Sequence, residues 1–224
     1  MAIATEYKHL EVELHGSLLF DNYTDHEVLY DENYLENYRK MSCTTMGHKI
    51  AGWRKAYAEA FLNTHDGKLL DYGCGWSPIC NLDRRNSPDR LGDWYGTDIN
   101  LAVADVPHMQ NRFAIDPDLS QFEVVCFFDV LEHLVNYKKI LSEIAVGNHV
   151  IATLPTLQVP ILEDNFHTLL GWRHWKPAEH RIYATQYGWV ELMRSCGFVY
   201  VDVTQMETVM GRLDSTTYAF KKVR

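Results

Sequence analysis

Two glycines spaced two apart, Gly73 and Gly75, follow the apolar run Leu69-Leu70-Asp71-Tyr72, and acids stand directly after two later apolar runs, at Asp98 and Asp129. Glycine lets a backbone turn with positive φ and press against a ligand. A carboxylate at a strand end accepts hydrogen bonds from both hydroxyls of a ribose. Together these residues outline a nucleotide-cofactor site, although a G-x-G pair alone also serves ordinary strand-to-helix turns. A dinucleotide site calls for a third glycine, and that position holds Pro78, which suits the first turn of a helix instead. No G-x-x-x-x-G-K-[ST] run is present to cradle a triphosphate. Asp98 and Asp129 each have a competing reading as the cap of a following helix.

Groups able to move a proton lie further on. His133 sits in Phe128-Asp129-Val130-Leu131-Glu132-His133-Leu134, and His174 and His180 flank a run dense in ionisable groups that also holds Lys176, Glu179 and Arg181. As functional groups, the three histidines are candidates for a general base or an orienting group, with Lys176 and Arg181 holding an anionic substrate. As ordinary ones, His133 is a hydrogen-bonded structural histidine and the run from His174 to Arg181 a solvated loop. The histidine spacing does not match H-E-x-x-H, so no metal site is expected from the sequence.

The elements that must position these residues follow from periodicity. Short apolar runs at Lys68–Tyr72, Trp94–Thr97, Arg112–Ile115, Val124–Phe128, His149–Thr153, Phe198–Val203 and Thr216–Phe220 alternate with helical segments. That order predicts a doubly wound, mostly parallel sheet, in which ligands bind beyond the carboxyl ends of the strands. After Phe128, the stripe Leu131, Leu134, Val135, Ile140, Leu141 and Ile144 predicts a helix. Residues 1–66 read as a short strand-like start and then an N-terminal helical cap: Tyr30, Tyr34 and Tyr38 recur at helical spacing, and Ile50, Trp53, Tyr57 and Phe61 share one face of a second helix. Residues 67–224 form the cofactor domain, with a substrate-facing insertion around 156–185. A cap over the site would recruit Arg39, Met41, Met46 and His48.

Composition bounds the function class. A chain of 224 residues with 46% hydrophobic content buries one good core. The net charge of -9 disfavours nucleic acid as a partner. Five scattered cysteines form no C-x-x-C pair and read as reduced thiols, and neither a signal peptide nor an apolar run of spanning length is evident. A soluble, cytoplasmic protein is the expectation, with the oligomeric state open.

The motifs together resemble the class I S-adenosylmethionine-dependent methyltransferases, in particular a small-molecule branch with a D-x-G-C-G loop and a D-V-L-E-H-L segment. The resemblance spans roughly Lys68 to Arg224 and extends to phage and bacterial members of unassigned substrate. Asp71, Tyr72, Gly73, Cys74 and Gly75 match its first motif, Asp98 and Ile99 its ribose-binding acid and the residue that follows, and Phe128 and Asp129 its fourth-strand motif. Glu179-His180-Arg181 and Cys196-Gly197-Phe198 resemble the stretch before its sixth strand. It implies a seven-stranded Rossmann-like sheet with an antiparallel last strand, S-adenosyl-L-methionine as cofactor, and methyl transfer by in-line displacement to an acceptor such as a sugar or metabolite hydroxyl. Asp116 is the candidate for the adenine amino group, with Asp105 as competitor. Tyr72, Trp76 and Phe128 offer aromatic faces to a sulfonium. Two departures stand out: Ser77 occupies the place of a frequent third glycine, and the third motif is short. Two other functions compete: a nucleic-acid methyltransferase, disfavoured because Phe128-Asp129-Val130 replaces [DNS]-P-P-[YFW], and a non-catalytic cofactor-binding protein.

Overall fold

Val124–Phe128, buried along its whole length, is the central strand of the sheet, and its alternating side chains build two separate cores. Val125 and Phe127 face one side with Leu70, Val150 and Ala152, while Val124 and Cys126 face the other with Leu69, Trp94 and Ile151. Period-two alternation across a sheet covered on both faces produces this division. The computed structural model describes residues 9–22, 32–82, 91–177 and 179–224. Tyr30, the first tyrosine of the expected stripe, lies outside the described residues.

The described strands are β1 (Leu10–Glu13), β2 (Leu18–Asp21), β3 (Lys68–Tyr72), β4 (Asp93–Thr97), β5 (Val124–Phe128), β6 (His149–Leu157), β7 (Ile182–Thr185), β8 (Phe198–Thr204) and β9 (Ser215–Lys222). The helices are α1 (Glu32–Ser42), α2 (Thr45–Glu59), α3 (Pro78–Leu82), α4 (Tyr137–Ser142), α5 (Phe166–Leu170), α6 (Gln186–Ser195) and α7 (Met206–Val209). Strands β4, β3, β5 and β6 run parallel in that spatial order, and β9 inserts antiparallel between β6 and β8. The expected doubly wound sheet with an antiparallel last strand is therefore present. Helix α6 packs Trp189, Leu192 and Met193 on one face, whereas α2 and α3 bring Ala51, Ala58, Ile79 and Cys80 to the other. Pro78 opens α3 as expected.

Four local expectations change. Arg112–Ile115 is no full strand: Phe113 makes a single parallel bridge to Gly96, because the Arg112 and Phe113 N–H groups turn back to the Met109 carbonyl, at 2.8 and 3.0 Å. The substrate-facing stretch 156–185 contains strand β7, which pairs with Thr156 and Leu157 of β6. The strand-like start is a hairpin, β1 with β2, that extends the sheet antiparallel to β7, so the described sheet has nine strands where seven were expected. The helix expected after Phe128 is broken into a single 3-10 turn, Leu131–His133, and the later α4, leaving Val135 74% exposed. The Glu132 carbonyl, which a continuous helix would bond to Asn136, instead accepts the Arg181 N–H at 2.7 Å.

In α2 the fully buried positions are Ala51, Arg54 and Ala58, not the aromatic stripe. Trp53 stacks on Tyr57, which meets Phe61, just past the helix, edge to face, all three half-buried. All five cysteines are free thiols, and no helix among the described residues is long and apolar enough to cross a membrane.

The hairpin is locked to α6 by a close approach. Thr185 caps α6 by accepting the Gly188 N–H, its own N–H donates to the Ser17 carbonyl, and a Cβ on Gly188 would stand 1.9 Å from that carbonyl oxygen. Gly188→Ala should destabilise the fold by about 2 kcal/mol or more, read as a lower urea midpoint; an unchanged midpoint would show that the hairpin is not seated there.

Candidate active site

The loop after β3 is built to come close to a ligand without donating to it. Gly73 and Gly75 adopt φ of 71° and 50°, and Ser77 takes φ 48°, the left-handed conformation that a glycine would adopt without strain. A Cβ on Gly73 would meet Val130 at 2.6 Å, and one on Gly75 would meet the Tyr38 ring at 3.0 Å. The amides turn back into the protein: Gly73 and Cys74 both donate to the Thr97 carbonyl, at 2.8 and 3.0 Å, and Gly75 donates to Asp98 Oδ2 at 2.8 Å. A loop that grips a pyrophosphate points such amides at the ligand. These three are committed elsewhere.

A cleft of about 740 Å³ lies over this loop, lined by Tyr72, Gly73, Gly75, Asp98, Ile99, Asp116, Phe128 and Asp129 among others. Asp98 ends β4 with each oxygen accepting one amide, from Gly75 and Asn100, so each keeps lone-pair capacity toward the cleft. Burial raises its pKa, against the pull of those two donors. Ile99 is 80% exposed beside it, an apolar surface open to a flat ring. Asp116 lines this cleft and Asp105 lines neither described cleft, which separates the two candidates. Cys74 and Asp71 are buried beneath the loop and border a second cleft instead. Of the aromatic candidates, Trp76 lies outside the first cleft, with the Arg39 guanidinium over its ring, and Phe128 carries Arg54 on its face at 4.6 Å. Tyr72 remains.

The second cleft, about 650 Å³, lies between the N-terminal helices and the stretch before β7. Tyr34, Tyr38, Gly73, Phe128, Asp129 and His133 border both clefts, so the two volumes share one wall. Met41, Met46 and Ile50 supply apolar lining, and Arg173, His174 and Lys176 supply polar lining opposite. Neither Arg39, His48 nor Arg181 reaches this cleft. Lys176 pairs with Glu179 at 2.9 Å.

The three candidate histidines are not one group. His133 and His180 meet edge to face at 4.7 Å between ring centroids, beside Glu132. His174 stands apart, its Nε2 donating to the Leu213 carbonyl at 3.1 Å. Burial, followed by the neighbouring His133, pushes the His180 pKa down to about 3. Burial likewise lowers His133 and His174. His180 is therefore neutral near pH 7.

Asp129, expected to cap a helix or touch a cofactor, caps no helix. It adopts φ 61° and accepts from two arginines: Arg54 Nη2 at 2.8 Å and Arg212 Nη2 at 2.7 Å. The same guanidiniums clasp Glu207, which is fully buried; Arg54 reaches it at 2.7 and 2.8 Å, Arg212 also bonds it, and Thr153 Oγ1 donates at 3.0 Å. Burial raises the Asp129 pKa, yet Arg212 and Arg54 outweigh it and hold the carboxyl well below the usual range. Sequence reading missed Arg54, Glu207 and Arg212. The usable signal was an arginine in register with Ala51 and Ala58 on the inward stripe of α2.

Residues 45–203 match the Methyltransf_23 family, described as a methyltransferase domain. No curated protein sequence matches the chain. Among solved structures, the chain is similar to the 1,6-didemethyltoxoflavin-N1-methyltransferase of Burkholderia thailandensis with bound 1,6-didemethyltoxoflavin and S-adenosylhomocysteine (13% identity, 96% of this chain and 100% of that one, TM-score 0.52). It is also similar to the magnesium protoporphyrin IX methyltransferase of Synechocystis PCC 6803 with bound SAH (15% identity, 86% and 96%, TM-score 0.54). A third similar structure is the [4+2]-cyclase SpnF (12% identity, 79% and 81%, TM-score 0.54). At these identities the likeness is one of fold.

Two outcomes follow from the site. Arg54→Met leaves buried Glu207 with Arg212 as its one remaining guanidinium, and should cost about 3–5 kcal/mol in chemical denaturation; a loss under about 1 kcal/mol would remove the network from its structural role. Burial, opposed by Arg54 and reinforced by Asp98, pushes Asp71 up to about 7. A carboxyl raised on folding keeps its proton while the unfolded chain gives it up, so stability should fall from about pH 4 to about pH 7 and then level. The slope contributed is at most about 1.4 kcal/mol per pH unit. The stability difference between wild type and Asp71→Asn should track that fall, and a pH-independent difference would contradict the assignment.

Proposed function

The chain belongs to the methyltransferase domain family, and from that premise we propose that it transfers a methyl group from S-adenosylmethionine to a small-molecule acceptor seated in the second cleft. The carrying observation is the shared wall: a group in the first cleft faces a group in the second across Gly73, Phe128, Asp129 and His133. The residues fit this cofactor better than a dinucleotide, because the loop amides that would bind a pyrophosphate are spent on Thr97 and Asp98.

In this reading Asp98 accepts the ribose hydroxyls with its remaining lone pairs. Ile99 and Asp116 flank the adenine, Gly73 allows close backbone approach, and the Phe128–Asp129 turn borders the amino-acid end, with Asp71 beneath the loop on the side of the second cleft. When bound, the cofactor supplies a methyl on sulfur already activated for displacement. The protein's work is then alignment and exclusion of water, plus removal of a proton if the acceptor carries one. His133 stands at the shared wall to take that proton, with Glu132 and His180 beside it on the second cleft. Arg173, His174 and Lys176 opposite Met41 and Met46 suit an acceptor with both an apolar body and hydroxyl or acidic groups, such as a sugar or metabolite hydroxyl. A nucleic-acid acceptor fits poorly with the net charge of -9.

The likeness to a cyclase motivates a second reading, cofactor binding without methyl transfer. Calorimetry distinguishes the cases. S-adenosylmethionine and S-adenosylhomocysteine should bind the wild type and NAD should not; Asp98→Ala, losing charge-assisted hydrogen bonds of about 1.5–3 kcal/mol, should bind about 10–100-fold more weakly, and Gly75→Arg should not bind. Binding of NAD in place of the sulfonium would overturn the proposal. Binding with no methylated product across a panel of hydroxylated and acidic acceptors would favour the second reading.

A further inference from the structure

Glu132 and His133 follow β5, and His180 precedes β7; the Arg181 N–H bond to the Glu132 carbonyl at 2.7 Å ties the two segments together. One donor atom from each of the three side chains lies within 4.8 Å of the others. Glu132 is 1% exposed and His180 3% exposed, yet Glu132 Oε2 and His180 Nδ1 have no hydrogen-bond partner among the described residues. Leaving a buried polar atom unmade costs about 1–3 kcal/mol. Two such atoms in one cluster point to something that draws them together.

The third member is already prepared. His133 Nδ1 lies 2.9 Å from the Glu179 carbonyl oxygen, which only accepts, so Nδ1 carries the hydrogen and Nε2 keeps its lone pair. Ligating histidines are commonly oriented in this way, with the far N–H given to a carbonyl. Nε2 stands 3.9 Å from Glu132 Oε1. An ion held at about 2.0–2.2 Å from each donor would draw them in to about 3–3.5 Å of one another. The neighbouring charges are already engaged: Asp129 by Arg54 and Arg212, and Lys176 by Glu179.

We propose that Glu132, His133 and His180 bind a divalent transition-series cation, through two imidazole nitrogens and one carboxylate oxygen, with its open positions facing the second cleft. Two imidazoles select against magnesium and calcium, which prefer oxygen donors, and suit zinc, cobalt(II) or iron(II). An acceptor oxygen at an open position would lose its proton to solvent more readily; only that consequence rests on the methyl-transfer reading.

The test uses the full chain, treated with chelator, dialysed and titrated with zinc chloride by calorimetry and with cobalt(II) chloride by visible absorption. One equivalent should bind, with cobalt bands of a nitrogen and oxygen site and no thiolate charge transfer. Glu132→Gln and His180→Asn should each weaken binding by about a hundredfold, while His174→Asn and Cys43→Ser leave it unchanged. Circular dichroism and S-adenosylhomocysteine binding report whether each variant is folded. Should His180→Asn not fold, the isosteric Glu132→Gln decides. No stoichiometric uptake by the wild type, or uptake that Glu132→Gln does not weaken, would overturn the proposal. Cobalt uptake without cofactor binding would instead count against the methyltransferase reading and leave the metal site standing.

Discussion

Four charges, two arginines and two carboxylates, hold the two sides of this molecule together. Arg54 comes from the N-terminal helix pair, Asp129 from the end of the central strand, and Glu207 and Arg212 from the connection between the last two strands. The set balances to zero formal charge, and Thr153 satisfies a further acceptor on Glu207. A buried ionic cluster of this kind is weak evidence for net stability, since its desolvation offsets much of its attraction. Its value is geometric: Arg54 and Glu207 left alone would be buried uncompensated charges, and half-buried Asp129 and Arg212 complete the one arrangement in which all are satisfied. That arrangement sets where α2 lies relative to the sheet and therefore where the second cleft opens.

The same constraint shapes the chain after β5. Asp129 takes a positive φ while both its oxygens face guanidiniums, and the following turn cannot run on as a helix because the Glu132 carbonyl is given to β7. The interruption has a chemical consequence. A continuous helix would carry Glu132 and His133 past the stretch before β7; the broken one stops them beside His180 on the second cleft.

The cofactor loop works by a different economy of contacts. Its first amides stabilise the protein by bonding to the end of β4, so the loop is rigid before any ligand arrives. Asp98 serves twice, fixing Gly75 and Asn100 while keeping lone pairs toward the cleft. Preorganisation of this sort spares the ligand the ordering of the loop. It also explains how Ser77 is tolerated where related loops often have a third glycine: it takes the left-handed conformation with its side chain buried.

What was legible in the sequence is what local physics decides. Strands β3, β5, β6, β8 and β9 announce themselves by apolar runs, the loop by its glycines and Pro78, and Asp98, Ile99 and Asp116 by their places just after such runs. Strand β7 did not, because four residues beside a dense group of charges give too short a period to read. Nor did the break after Phe128: its apolar spacing is helical, and only a hydrogen bond from a distant segment overrides it. Arg54 and Glu207 are separated by 153 positions, and no spacing rule connects residues so far apart. The sequence by itself determined the parallel centre of the sheet and the glycine turn after β3, because strand period and turn chemistry act between neighbours. The tertiary structure alone decided which charges pair, which histidines meet and where the second cleft lies, because those depend on how folded segments dock.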